Sequence, residues 1–300
     1  MIDTVGISSA LSGVDVGDLE RAGWNVRVTR SHRQGQVVES VKAFVNLDEG
    51  MALEHFVSGG WLVARGSLPR MIGKANDVIL SWPECGQALG LMVQRACDHV
   101  GVDLPDLTEW GLWRVDPVMA WPVSAGPYID ALRGSRFART LPVSESGGIR
   151  WRSMRSGAIL ARFYDKAHEA GHPVGLPARF ERQVRPKRQV VRVDGKRVTG
   201  QVSDLSERVC VGMIQAGLSE LGLDKPIPCS MGARQRLVQA HGARRGGNLW
   251  RELLAFRECG GWPSDYSMAK VRRVERACRL AGVRALSPDG ELPALEMGRF

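Results

Sequence analysis

Three short segments of the chain set polar or charged side chains against apolar ones with a period of two. In 111–116, Arg114 and Asp116 alternate with Trp113 and Val115, and with Met119 if the run continues past Pro117. In 158–166, Arg162, Tyr164 and Lys166 alternate with Ile159, Ala161 and Phe163, and in 178–184, Arg179, Glu181 and Gln183 alternate with Ala178, Phe180 and Val184. Successive side chains of a β-strand point to opposite faces. Each segment therefore predicts a strand with one face for a core and one polar face. If the three are neighbours in a sheet, the polar face gathers two carboxylates, a tyrosine, a lysine and three arginines.

That set of groups suits phosphodiester transfer. The reaction needs an attacking oxygen, positive charge or a hard cation on the non-bridging oxygens, and stabilisation of the leaving hydroxyl. Tyr164 supplies the nucleophile in this reading, with Lys166, Arg162 or a metal favouring its phenolate. Asp116 and Glu181 are hard oxygen ligands suited to Mg2+ or Mn2+, and the arginines orient phosphates. Periodicity alone leaves a second reading open, in which Tyr164 is an ordinary sheet tyrosine and the two acids form structural ion pairs.

Charge is unevenly placed. Residues 1–132 carry 10 Lys+Arg against 16 Asp+Glu, 133–200 carry 16 against 5, and 201–300 carry 15 against 11, within a net charge of +9. A concentrated basic segment is what a surface facing a phosphate backbone requires, although a solvated basic face has the same composition. The expected DNA contacts are Arg114, Arg150, Arg152, Arg155, Arg179, Arg182, Arg185, Lys187 and Arg188. Trp151, flanked by Arg150 and Arg152, is the one tryptophan of nine expected to stack on a base, the others serving the core.

Elsewhere a strand is expected at 61–65, ending in the turn-forming 66–69, and an amphipathic helix from about Gly86 that stops at Gly101. A short helix follows Pro127, and another strand is read at 149–153. Past residue 200 the pattern is helical, with Ser203 and Asp204 as caps and helices near 234–240, 249–258 and 268–280. The last of these carries Lys270, Arg272, Arg273, Arg276 and Arg279 opposite Val271, Val274 and Cys278, and can lie on phosphates or simply pack as a solvated helix. The fold class expected is α+β, with a domain at 1–200 and a helical one at 201–300, and the ending from Ser287 is expected to be loose. Six cysteines without a Cys-x-x-Cys pair argue against a zinc module or disulfide scaffold. No signal peptide and no run near the roughly 20 apolar residues of a membrane span is present, so a cytoplasmic protein without membrane partners is expected.

Five stretches resemble the gene-two replication initiators of filamentous phages and their plasmid relatives of the rolling-circle Rep_trans group. The opening Met1-Ile2-Asp3-Thr4 is similar to their usual start, and 66–76 to their small-Ser-x-Pro-basic stretch ending near Gly-x-Asn. Trp113-Arg114-Val115-Asp116 resembles their Arg-Ile/Val-Asp strand, Tyr164-Asp165-Lys166-Ala167-His168-Glu169 their Tyr-x-Lys-x-x-Glu segment, and Arg179-Phe180-Glu181 their Arg-Phe/Val-Glu strand. The resemblance covers about the first two thirds of the chain. It implies a Rep nickase-like antiparallel sheet with packed helices, followed by a helical C-terminal region. It also implies a metal-dependent tyrosine nickase of rolling-circle DNA replication, with Tyr164 linked to a 5′ phosphate, a 3′-OH primer released, and strands later rejoined. Lys166 and Glu169 then belong to the active-site segment, while Asp116 and Glu181 line its centre. The implied partners are double-stranded origin DNA, single-stranded DNA and the host helicase and polymerase of a bacterial cytoplasm, with homo-oligomers allowed. The His-apolar-His cation strand of many rolling-circle initiators is absent.

Two other functions compete. His168-Glu169-Ala170-Gly171-His172 matches the His-Glu-x-x-His of zinc metalloproteases, but Gly171 and Pro173 predict a turn where that motif needs a helix. A DNA-binding protein without catalysis, using the basic helix at 268–280, is the other.

Overall fold

The computed structural model describes residues 1–33, 36–47, 50–133, 140–153, 159–186, 192–193, 195–258, 266–284, 286–287 and 290–297. Arg155, Lys187 and Arg188, expected on DNA, lie outside them.

The chain is α+β, with antiparallel strands, helices packed on them and helices through the C-terminal region. Backbone contacts divide it into two units, Met1–Val118 with Gln183–Met213, and Met119–Arg182 with Ile214–Phe300. The divisions thus fall within two continuous elements, the strand Gly111–Trp121 and the helix Glu207–Leu221, and not near residue 200. A change from strand-like to helical texture marks where the secondary structure changes, whereas the packing returns 183–213 to the first unit.

The first unit contains β1 (Ile2–Ala10), α1 (Val16–Arg21), β2 (Asn25–Arg33), β3 (Gln36–Leu47), β4 (Met51–Phe56), β5 (Trp61–Ser67), α2 (Leu68–Met71), α3 (Trp82–Val100) and the start of β6 (Gly111–Trp121). Its strands run antiparallel in the order β2-β3-β4-β5-β1-β6. One face packs Val5, Ile7, Leu53, Leu62 and Ala64 in a core with Leu89 and Met92 of α3. That helix begins at Trp82, four residues before the expected start near Gly86, because Ser81 and Glu84 form a capping box and Pro83 occupies the first turn. It ends where expected, at Gly101 in the left-handed conformation.

The pairing of β1 with β6 slips between Gly6 and Ile7, so that Gly6 faces Arg114 and Ile7 faces Leu112. Trp113 is the extra residue of this bulge. Its ring lies against Gly6 on the face away from the core, contrary to the simple alternation that placed it inside with Val115.

The second unit contains the end of β6, then α4 (Ala125–Leu132), β7 (Thr140–Glu145), β8 (Gly148–Ser153), β9 (Ile159–Asp165), α5 (Lys166–Ala170) and β10 (Ala178–Arg182). After β11 (Arg192–Val193) and β12 (Lys196–Arg197) of the first unit, α6 (Glu207–Leu221) passes into the second, followed by α7 (Ser230–His241), α8 (Ala243–Glu258) and α9 (Met268–Leu280). The strands β10-β9-β8-β7 are antiparallel neighbours. Ile149, Trp151, Ala161, Phe163 and Phe180 face a core shared with Tyr128, Ile214 and Leu218, while Leu237, Leu249 and Val274 centre a separate cluster among α7, α8 and α9.

Over residues 290–297 the ending is held in place and not loose. Leu292 pairs with Ile227, the Leu295 amide donates to Leu223 O at 2.8 Å, and Leu295 is buried in the core. The Trp121 indole donates to Glu296 O at 2.7 Å and the Tyr128 hydroxyl to Pro293 O at 3.0 Å. Apolar side chains at 292 and 295 outweigh the Pro-Asp-Gly turn signal before them.

Asp204 does not cap the helix that follows. One of its oxygens instead accepts the amides of Thr199, Gly200 and Gln201 at 2.7 to 3.1 Å and the Thr199 hydroxyl at 2.6 Å. This fixes a turn that bonds to the head of β6, Gly200 O accepting from the Leu112 amide and Trp110 O from the Val202 amide. Partial burial pushes the Asp204 carboxyl up, but these hydrogen bonds outweigh it and hold the pKa below its usual value. A group with a depressed folded-state pKa stabilises above its unfolded pKa and loses that contribution as pH falls through the folded value. Asp204→Ala should therefore cost about 1 to 3 kcal/mol at neutral pH. In urea melts the gap between variant and wild type should narrow as the medium is acidified below the ordinary carboxylate range.

Candidate active site

β9 and β10 pair so that Tyr164 stands opposite Arg179 and Arg162 opposite Glu181. The expected strand neighbours are thus neighbours, and Arg162, Tyr164, Arg179 and Glu181 share one face. The Tyr164 hydroxyl donates to Glu181 Oε1. The other carboxylate oxygen accepts from Arg162, Nε at 3.0 Å and Nη2 at 2.5 Å. The Arg162 guanidinium also lies over the Tyr164 ring, 5.0 Å from its centre.

Asp165 ends β9 by capping α5, its side chain accepting the amides of Ala167 and His168. The cap sets Lys166 into the first turn, buried, donating to Glu169 Oε2 at 2.6 Å. Its ammonium is 6.0 Å from the Tyr164 ring centre. The first turn of α5 therefore supplies the lysine and glutamate of the Tyr-x-Lys-x-x-Glu segment to one neighbourhood.

The side chain of Tyr164 is buried, at 8% exposure. Burial pushes its pKa far up, the Glu181 charge adds to that rise, and Arg179 opposes it. This corrects the expectation that neighbouring cations would favour phenolate. The resting group is a neutral phenol bonded to a carboxylate.

A cavity of about 260 Å³ opens beside the tyrosine, lined by Tyr164, Arg150, Arg162, Glu169, His168 and the Ser146–Gly148 turn among others. That turn joins β7 to β8 and presses on the site. A Cβ on Gly148 would sit 2.7 Å from Tyr164 Cβ and 3.0 Å from Phe163 O, and one on Gly147, whose φ is +71°, would sit 2.3 Å from His168 Cδ2. Glycine here permits both the backbone turn and its close approach. Neither glycine was singled out from the sequence, since Ser-Gly-Gly signals only a turn. Arg150 is ion-paired with Glu145 at 2.5 Å and lines the cavity.

The other expected DNA contacts are dispersed. Arg152 is exposed. Arg182 is half-buried, and burial lowers its pKa against the raising effect of Glu220. Arg185 lies over the Trp113 ring at 5.5 Å in the first unit. Two expectations fail on burial. Trp151 is fully buried because β8 alternates, turning Ile149 and Trp151 into the core and Arg150 and Arg152 outward, so its ring is not offered to a base. Arg179 is 1% exposed, which leaves it an electrostatic role under the site and no phosphate contact at the surface.

The metal expectation meets occupied ligands. Asp116 belongs to the first unit, where Arg114 Nε donates to its two oxygens at 2.9 and 3.0 Å and Nη2 donates to one of them. Glu181 belongs to the second unit, with both oxygens engaged as above. Among the described residues no group of three or more His, Cys, Asp or Glu side chains is placed to hold an ion. Two carboxylates each neutralised by arginine do not fit a divalent cation as they stand. The zinc-protease motif is broken as its glycine predicts, for α5 ends at Ala170 with Gly171 left-handed, and His168 instead shares a 2.9 Å hydrogen bond with Ser146.

In α9, Val271, Val274 and Cys278 are buried and Arg272, Arg273, Arg276 and Arg279 exposed, as its stripe predicts. Among the described residues no helix is long and apolar enough to cross a membrane.

No protein-family model matches the sequence, and no curated protein matches it. Among solved structures, that of a rolling circle replication initiator protein from Geobacillus stearothermophilus is similar at a TM-score of 0.31 and 11% identity, over 96% of this chain and 98% of that one.

Two outcomes follow from the geometry. With the chain's three tyrosines labelled at Cζ, the Tyr164 resonance should titrate above the ordinary phenol range, and Glu181→Gln should bring it down by removing the adjacent negative charge. Gly148→Ala should destabilise the protein by about 1 to 3 kcal/mol through the clash with Tyr164 and Phe163, read from thermal or urea unfolding.

Proposed function

We propose that the chain is a DNA strand-transfer enzyme of the rolling-circle initiator type, in which Tyr164 attacks a phosphodiester. The observation that carries this reading is the hydrogen bond from the Tyr164 hydroxyl to Glu181 beside a cavity lined by Arg150 and Arg162. A structural tyrosine needs only one partner for its hydroxyl. Here the partner is a carboxylate, a base in direct contact with the phenol, and the adjoining cavity is lined by two guanidinium groups whose present carboxylate partners a phosphate can compete with.

In the proposed step Glu181 takes the phenolic proton as the Tyr164 oxygen attacks phosphorus. The new Tyr164 O–P bond forms as the bond from phosphorus to the 3′ oxygen breaks. The products are a 5′-phosphotyrosyl strand and a 3′ hydroxyl, whose proton comes from water or from Glu181. Arg162 orients the carboxylate, and Arg150 and Arg162 face the non-bridging oxygens. Lys166, held by Glu169, adds positive potential near the attacking ring. No step is routed through a cation, because neither carboxylate has free oxygens to offer one.

A neutral resting phenol suits this scheme. A permanent phenolate would need the buried charge stabilised at all times, whereas a base in contact supplies the proton acceptor only as the bond to phosphorus forms. The duplex contacts proposed for origin recognition are Arg152 and the exposed arginines of α9. Host polymerase and helicase as partners, rejoining of the strand and a role in replication are proposed on the sequence resemblance alone.

Incubation with supercoiled replicon DNA tests the reading. Wild type should convert it to open circle. Tyr164→Phe should abolish nicking while duplex binding persists, and Glu181→Gln should slow nicking about 100- to 10,000-fold. Nicking by Tyr164→Phe at the wild-type rate would remove the tyrosine from the chemistry.

A further inference from the structure

The face of the first unit's sheet that turns away from α3 carries aromatic rings in contact with water. Trp61 is 49% and Phe56 37% exposed, and the two stand opposite each other across β4 and β5. With Trp113, Val63, Ser8 and Ser58 they line a concavity of about 580 Å³. Cations interleave with the rings. The Lys42 ammonium is 5.1 Å from the Phe56 ring centre, the Arg185 guanidinium 5.5 Å from that of Trp113, and Arg27 5.9 Å from that of Phe44. Glu54 lies between Lys42, at 2.8 Å, and Arg65, at 2.9 Å.

We infer that this face binds single-stranded DNA. Exposed rings on adjacent strands give platforms on which unpaired bases stack, cations beside the rings meet the backbone phosphates, and the serine hydroxyls suit base edges and sugars. A duplex does not fit the same face, because its bases already stack on one another and present no free ring surface. A protein partner of matching shape would need a larger continuous apolar patch than the serine and charged rim leaves. Of the acids on the face, Glu39 lines the concavity and pairs with the exposed Arg30, and Glu54, itself mostly buried, pairs with the half-buried Lys42 and the exposed Arg65. The exposed Arg30–Glu39 pair is weak, and the solvent-facing side of Arg65 leaves room for a phosphate to compete with Glu54.

The surface lies outside the basic segment 133–200 except for Arg185, and it supplies the stacking tryptophans that Trp151 does not. The choice of DNA as the strand rests on the strand-transfer reading. The binding itself does not involve Tyr164.

The full chain is titrated against a fluorescein-labelled oligothymidylate of about 15 nucleotides, followed by anisotropy. Wild type should bind with an affinity that falls as salt rises. Trp61→Ala should weaken binding roughly 5- to 100-fold, Trp61→Phe should recover most of the loss, and Glu54→Gln should tighten binding at low salt by releasing Lys42 and Arg65. Affinity for a duplex of equal length should be indifferent to Trp61→Ala. Unchanged affinity in Trp61→Ala, or no gain in Glu54→Gln, overturns the inference. If Trp61→Ala does not fold, equal affinity of Lys42→Ala and wild type overturns it instead. Binding with this mutational pattern in a protein that nicks nothing would retire the strand-transfer reading and leave the single-strand face standing.

Discussion

Burying a carboxylate beside a phenol is costly unless every oxygen finds a donor, and the pair β9–β10 is arranged around meeting that condition. Glu181 is 4% exposed, and a bare charge at that depth would protonate or unfold the strand pair. Arg162 on the neighbouring strand covers one oxygen and Tyr164 covers the other. The antiparallel register is what makes both possible, because it sets Arg162 opposite Glu181 and leaves Tyr164 two residues along on the same face. A slip of one residue would turn all of them into the core. The apolar residues of the opposite face, Phe163 and Phe180 among them, therefore fix the chemistry as firmly as the polar ones do.

The same coupling explains the surrounding glycines and the short helix. Gly147 and Gly148 let the β7–β8 turn approach His168 and Tyr164 closer than any side chain would allow. Asp165 stops the strand immediately after the tyrosine and begins the turn that returns Lys166 and Glu169. A phenol whose pKa is raised by burial and by a neighbouring carboxylate is a poor nucleophile until its proton leaves. The group poised to receive that proton is the one already bonded to it.

Much of this was legible in the residues. Period-two alternation correctly placed Arg162, Tyr164 and Glu181 on one face, and the glycine at 171 correctly broke the zinc motif. The strands β1 to β3 leave little period-two signal, because β1 is buried on nearly its whole length and shows no alternation, while β2 and β3 carry polar side chains on both faces; β4 alternates, but over only six residues. Trp113 and Trp151 exchanged roles for reasons of local geometry. A bulge turned the first outward, and ordinary alternation, which the flanking arginines masked, turned the second inward. The partition of 183–213 from the segments on either side depends on contacts distant in sequence, which no local pattern encodes.

The most direct test of the account is chemical. The protein is incubated with a supercoiled replicon, digested with nuclease and protease, and the nucleotide-bearing peptide is mapped by mass spectrometry. The account predicts a 5′-phosphate ester on Tyr164, within the peptide that contains Lys166 or ends before it, and none in Glu181→Gln on the same timescale. An adduct on Tyr128 or Tyr266, or strand cleavage that leaves no covalent adduct, would contradict it.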